Sequence, residues 1–219
     1  MMGDMDGKLS RQHGPGIPVS WDLMKIIHRT GEFRYPWPMA LLLDHVPMAG
    51  TIETLDELVR ILDLESRPAG YTDALLRSSI PPEALEPFCQ WNSRHYVRQC
   101  IHRTREHELL LICYEPGQRT SIHDYDSQMA WIKPLMGMVH EERFKIGTNG
   151  TLKRHGQRTL EPGQLAYMAT KSCIHRHSNL GTTRAITLNL YARPIRRWRV
   201  YDERTGLASL SGTTETGGE

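Results

Sequence analysis

The stretch GQRTSIHDYDSQMAWIKPLMG, residues 117–137, carries the reading of this chain. Five residues separate Gly117 from His123, and one separates His123 from Tyr125. Four more lead to Ala130 and a further six to Gly137. On a strand, residues i and i+2 face the same way, so His123 and Tyr125 are expected to aim their rings into one space. The segment 129–135 that follows reads as a strand closed by a glycine.

The same character extends through the second half of the chain. Short apolar segments fall at 95–102, 109–114, 138–146, 151–154, 164–169, 173–177, 184–192 and 197–202, with Gly, Asn and Thr turns between them. The run from Ala185 to Tyr191 alternates with period two, and Thr148-Asn149-Gly150-Thr151 reads as a hairpin turn. Regularly spaced short strands predict an all-β sandwich or barrel. Upstream, TIETLDELVRILDL (51–64) predicts a helix capped by Thr51 or Thr54, with Leu55, Leu58, Val59 and Leu62 on one face. A second helix is expected over about Tyr71 to Arg77, and Pro81-Pro82 marks the start of a third, carrying Glu83 to Gln90. These helices are too few to bury a core alone, so they are expected to pack on the barrel. The predicted organisation is a disordered stretch at 1–20, a helical segment at 21–94, a barrel at 95–204 and a disordered tail at 205–219.

Composition excludes several classes. The 219 residues are 39% hydrophobic and 24% charged, as in a soluble globular protein. A net charge of +2 implies neither a nucleic-acid nor a membrane partner, and the arginines at 193, 196, 197 and 199 read as a solvated strand face. The longest apolar run, Met39 to Leu43, is far short of the roughly 20 residues that span a bilayer. Four cysteines without a C-x-x-C pair, and no signal-like opening, predict a cytoplasmic protein with reduced thiols.

The spacing of the opening stretch resembles the first motif of the cupin fold, G-x5-H-x-H-x4-E-x6-G, with Tyr125 at the second histidine and Ala130 at the glutamate. The second cupin motif is resembled in two parts. Gly156 to Pro162 has its opening spacing, and His175-Arg176-His177-Ser178-Asn179 supplies H-x3-N after a longer gap. The chain further resembles the cysteine dioxygenase family of thiol dioxygenases, over about residues 51–193. TLDELVRIL is similar to that family's N-terminal helix, Tyr96-Val97-Arg98 to its Tyr-x-Arg, LLLICYEPGQRTSIHDY to its strand and turn into the metal-binding loop, His175-Arg176 to its His-Arg, and Leu190-Tyr191 to its Leu-Tyr.

The resemblance implies an all-β cupin, a double-stranded β-helix or jelly-roll barrel with a small N-terminal helical segment. It implies Fe(2+) held by His123 and His175. Arg98 would hold a substrate carboxylate, Tyr96 would line the same substrate site, and Tyr191 would aim its hydroxyl at substrate and O2. The family reaction adds both atoms of O2 to the sulfur of a small amino thiol. A monomer or small homo-oligomer is expected. The family's Ser-x-His-x-Tyr relay stands here as Thr187, Asn189 and Tyr191, and Ala130 precludes the cysteine–tyrosine crosslink of some members.

The third metal position stays open at this point. Tyr125 could fill it as a phenolate, which would favour Fe(3+). His177, two residues from His175 on a strand, could enter the same cavity. A two-histidine site completed by water or substrate, or a site without metal, are the remaining alternatives. The plainer readings are a structural role for the histidines, a barrel salt bridge for Arg98 and a core position for Tyr191. An altered ligand set also admits another oxidation in a biosynthetic pathway, or a cupin that only binds a small molecule.

Overall fold

The computed structural model describes residues 50–126, 129–148, 150–168 and 173–212. The expectations for residues 1–20, for the apolar run at 39–43, for Asn149 in the hairpin turn and for the last residues of the tail lie outside these segments.

Helix α1 spans Leu55–Leu64, with Thr54 as its N-cap: the Thr54 hydroxyl accepts from the Glu57 amide at 3.2 Å. Leu55, Leu58 and Leu62 are its buried face, and Val59 is partly buried. Helix α2 spans Pro68–Arg77. Helix α3 covers only Pro82–Leu85 and gives way to a 3-10 turn at Glu86–Phe88, so the helix expected to run to Gln90 is much shorter. Pro87 is the reason: it has no amide to donate to the carbonyl four residues back, and its ring crowds that carbonyl.

Among the described residues eleven strands follow: β1 (Val97–Arg103), β2 (His107–Tyr114), β3 (Ile122–Tyr125), β4 (Met129–Met136), β5 (Val139–Ile146), β6 (Leu152–Leu160), β7 (Ala166–Met168), β8 (Ile174–Ser178), β9 (Ala185–Ala192), β10 (Arg197–Tyr201) and β11 (Ala208–Gly212). They form two antiparallel sheets, β1-β2-β9-β4-β7 and β11-β10-β3-β8-β5-β6, which face each other as the two walls of a cupin jelly roll. Two strands depart from expectation. β6 runs six residues beyond 154 because pairing with β5 holds it, although its mostly exposed Lys and Arg residues give no hydrophobic signal. β11 lies within the expected disordered tail. It is mostly exposed and rests on its pairing with β10, a contact invisible to local composition.

The core has two main parts. Between the sheets lie Leu110, Ile112, Tyr114, Tyr125, Ala130, Ile132 and Tyr191 among others. On the outer side of the first sheet, Leu109, Leu111, Trp131, Leu188 and Leu190 pack against Leu55, Leu58, Leu62, Tyr71 and Leu75 of α1 and α2. β2 and β9 are therefore buried on both faces along their whole length, which explains the near-continuous apolar run of β2. Two polar side chains of β4 fasten α2 to this wall. Trp131 Nε1 donates to Thr72 Oγ1 at 2.8 Å. The buried Lys133 ammonium donates to the carbonyls of Leu75 (2.7 Å) and Ser78 (2.5 Å), closing the C-terminal end of α2.

Gly137 ends β4 with φ +66°, and a Cβ there would sit 2.5 Å from the Arg184 carbonyl oxygen. Both the left-handed backbone and the close approach call for glycine.

Candidate metal centre and substrate pocket

β3 and β8 pair antiparallel with His123 directly opposite His175. The two rings come to 4.5 Å between centroids. Each ring is held by a backbone carbonyl two residues earlier: His123 Nδ1 by Ser121 at 2.9 Å and His175 Nδ1 by Cys173 at 2.8 Å. The proton therefore sits on Nδ1, and Nε2 carries the lone pair in both rings. Such a carbonyl-held tautomer is the usual support of a metal-binding imidazole. Burial, reinforced by the neighbouring His175 ring, pushes His123 down to about 3, and burial with the adjacent His177 ring does the same for His175. Both rings are neutral at neutral pH.

Tyr125 follows on the same face of β3. Its ring meets His175 edge-on at 5.3 Å and Tyr191 edge-on at 5.1 Å. Its hydroxyl has only a weak acceptor, Met168 Sδ at 3.5 Å. Burial raises the Tyr125 hydroxyl well above its ordinary range, so without a cation it is a phenol.

His177 also lines the pocket, with its ring 5.0 Å from that of His175. Its Nε2, however, lies 3.8 Å from Glu141 Oε1 and has no hydrogen-bond partner. Glu141 is fully buried beside Arg143 (3.0 Å) and Arg158 (2.5 Å). Burial pushes the Glu141 carboxyl up, but His177, Arg143 and Arg158 overcome this and hold it at about 2. Among the described residues, Asp63, His102 and His107 are the one group of three His, Cys, Asp or Glu side chains whose ligand atoms all lie within 4.8 Å. The ligand nitrogens of His123, His175 and His177 thus do not all lie within 4.8 Å of one another, and His177 Nε2 faces the Glu141 charge cluster.

The facing sheet supplies the rest of the pocket. Tyr96 and Arg98 stand at its edge, Ile112 and Tyr114 come from β2, and Asn189 and Tyr191 from β9. Tyr96 stacks on Tyr114 at 5.6 Å. Arg98 is exposed, no carboxylate among the described residues pairs with it, and its positive field reaches His123 and Tyr191. The period-two spacing of Thr187, Asn189 and Tyr191 becomes a chain of hydrogen bonds. Thr187 Oγ1 donates to Asn189 Oδ1 at 2.7 Å, and Asn189 Nδ2 donates to the Tyr191 oxygen at 3.2 Å. The Tyr191 proton is thereby left for another acceptor. Burial raises Tyr191 even though Arg98 and Asn189 pull it down, so it too is a phenol at neutral pH.

The sequence profile described as "Cysteine dioxygenase type I" matches residues 49–204. The chain belongs to the cysteine dioxygenase type I family. This is a cupin family of non-haem iron dioxygenases, oxidoreductases that act on a small molecule and O2. The chain is 28% identical to cysteine dioxygenase type 1 of Danio rerio over 166 residues, covering 70% of this chain and 82% of that one. It is 27% identical to the Rattus norvegicus protein over 168 residues, covering 74% and 76%. Among solved structures it is similar to an uncharacterised double-stranded β-helix protein of Klebsiella pneumoniae, with TM-score 0.42 and 14% identity over 58% of this chain and 87% of that one.

All seven residues singled out from the sequence, Tyr96, Arg98, His123, Tyr125, His175, His177 and Tyr191, line this pocket. The sequence reading missed other parts of its wall, Ile112, Tyr114, Thr120, Ser121, Ile195 and Trp198. Trp198 arrives because β10 pairs with β3 opposite Tyr125, a register no local pattern reveals. It also missed Glu141, whose alternation with Arg143 on β5 resembles a solvated strand although both side chains are buried in the fold.

Proposed function

We propose that the chain is an iron-dependent thiol dioxygenase that converts a small thiol carboxylate and O2 into the sulfinate, in a reducing compartment such as the cytoplasm. The observation that carries this reading is the pairing of His123 with His175. Two neutral imidazoles, each with Nδ1 carbonyl-held so that Nε2 carries the lone pair, stand in one pocket with a buried tyrosine and an arginine that no carboxylate among the described residues pairs with. That donor set fits a divalent iron ion. His123 and His175 would hold it, with Tyr125 as third donor: its hydroxyl gives up only a thioether contact, whereas His177 is drawn to Glu141. When bound, iron would supply the electronic route between the substrate sulfur and dioxygen.

The remaining residues bind and orient. Arg98 pairs with the substrate carboxylate at the pocket mouth, and Tyr96, braced by Tyr114, lines the same edge. Tyr191, its oxygen fixed by Asn189, turns its proton toward the substrate. Ile112, Ile195 and Trp198 exclude water from the reacting sulfur. The four cysteines are free thiols, consistent with a reducing compartment.

The test is oxygen uptake with mass detection of the sulfinate, on protein reconstituted anaerobically with Fe(II) and offered a panel of thiol carboxylates and thiols lacking the carboxylate. Thiol carboxylates are expected to react, and Arg98→Ala is expected to raise KM about 10- to 100-fold while kcat changes less. Equal turnover of thiols without a carboxylate would remove Arg98 from this role. Reconstituted protein that holds iron but oxidises no thiol would point to another oxidation, and protein that takes up no iron would leave a binding pocket only.

A further inference from the structure

A second group of metal-ligating side chains lies outside the pocket, where α1 meets the β1–β2 hairpin. Asp63 stands in the last turn of α1, a poor place for an unpaired acid because the helix dipole there is negative, and that turn carries no basic residue. Two histidines meet it instead. His102 Nε2 lies 2.7 Å from Asp63 Oδ1, and His107 Nε2 lies 3.5 Å from the same oxygen. The two imidazole rings are 5.5 Å apart.

His107 is the telling member. It is only 1% exposed, and its Nε2 has no hydrogen-bond partner. Its Nδ1 lies 3.4 Å from the Thr104 hydroxyl, which itself receives the amides of Glu106 and His107 and so shapes the turn. In the tautomer with the proton on Nδ1, the buried Nε2 presents its lone pair to a carboxylate oxygen 3.5 Å away, an arrangement that a cation held by both atoms would satisfy. Burial also lowers the proton affinity of His107. Glu65 and Glu106 add negative charge around Tyr71, whose ring meets His107 edge-on at 5.7 Å.

We propose that Asp63, His102 and His107 hold a divalent transition-metal ion of the zinc type, which ties the end of α1 to the β1–β2 hairpin. Zinc with ligands at 2.0–2.2 Å sets neighbouring ligand atoms about 3.3 Å apart. The distances of 2.7 and 3.5 Å from Asp63 Oδ1 bracket that spacing. Two imidazoles and one carboxylate suit zinc better than calcium or magnesium, which take oxygen ligands. The side chains of Asp63 and His102 are 40% and 27% exposed, so water completes the coordination. The site is independent of the iron pocket, which shares none of its residues.

The experiment is zinc titration of the chelator-treated full chain against a competing chromophoric chelator, followed by thermal unfolding. Wild-type protein is compared with Asp63→Asn and with His102→Ala, both at partly exposed side chains that leave the core untouched. Wild type is expected to bind one zinc per chain more than either variant. Its midpoint should rise by about 5–10 °C when zinc is at a hundred times its Kd, through this site alone. Folded variants that bind as much zinc as wild type, or gain the same thermal shift, would overturn the site. Neither result bears on the thiol chemistry, which is read separately by sulfinate formation.

Discussion

In the proposed function, Tyr125 is the residue on which the chemistry turns. It sits two residues after His123 on β3, touches His175 and Tyr191, and has a hydroxyl that is only loosely engaged. Replacing it by phenylalanine keeps the ring contacts and removes the one donor atom. Tyr125→Phe is therefore expected to fold normally, to lose iron affinity by about 10- to 100-fold or more, and to lose any visible tyrosinate-to-iron absorption of the oxidised protein. Metal analysis and a visible spectrum check this. Undiminished iron content would hand the third position to water or substrate. Much of this site could be read in advance because period two on a strand turns sequence spacing into shared direction, as for His123 with Tyr125 and for Thr187 with Asn189 and Tyr191. The carbonyls of Ser121 and Cys173 that set the imidazole tautomers could not be read so, since every residue carries a carbonyl and only the fold chooses which one is used.

At the scale of elements, the helices are held to the barrel by more than apolar contact. Lys133 looks misplaced within the β4 sequence MAWIKPLM, yet it is buried and donates to the last carbonyls of α2. Burial pulls its ammonium down to about 8, so it is still largely charged at neutral pH and matched to the negative end of the helix. Lys133→Met keeps the stem and removes the donor, leaving buried carbonyls unpaired. It is expected to lower stability by about 1–3 kcal/mol in urea unfolding, whereas an unchanged midpoint would mean that solvent replaces the ammonium. α1 and its Thr54 cap were legible because periodicity and capping are local. The short α3, the length of β6 and the existence of β11 were not, because a proline, a partner strand and an edge pairing decided them.

At the scale of the molecule, the pocket lies between two sheets and concentrates groups that resist protonation. His123 and His175 are held at about 3 and His177 at about 4, each chiefly by burial. An unfolded chain takes up these protons below about 6.5, and the folded chain does not until far lower pH. The unfolded state thus binds more protons throughout that window, and stability is full above about pH 6.5 and falls as the pH drops toward 4. Metal-free protein is expected to show a urea midpoint that declines steadily from pH 7 to pH 5, above the range in which ordinary carboxylates titrate. A flat profile would mean that the imidazoles are hydrated and the pocket open.

The sequence by itself determined the strand periodicity, the helix α1 and the shared direction of His123 and Tyr125, because each follows from spacing along one chain segment, while the cupin class and the choice of His123 and His175 came from resemblance to a family. Tertiary structure alone decided that His177 turns to Glu141, that Arg98 is left without a carboxylate among the described residues, and that Asp63, His102 and His107 meet. Those outcomes depend on which strands and helices lie side by side, and on burial that leaves a charge or a lone pair no partner but the ones the fold brings to it.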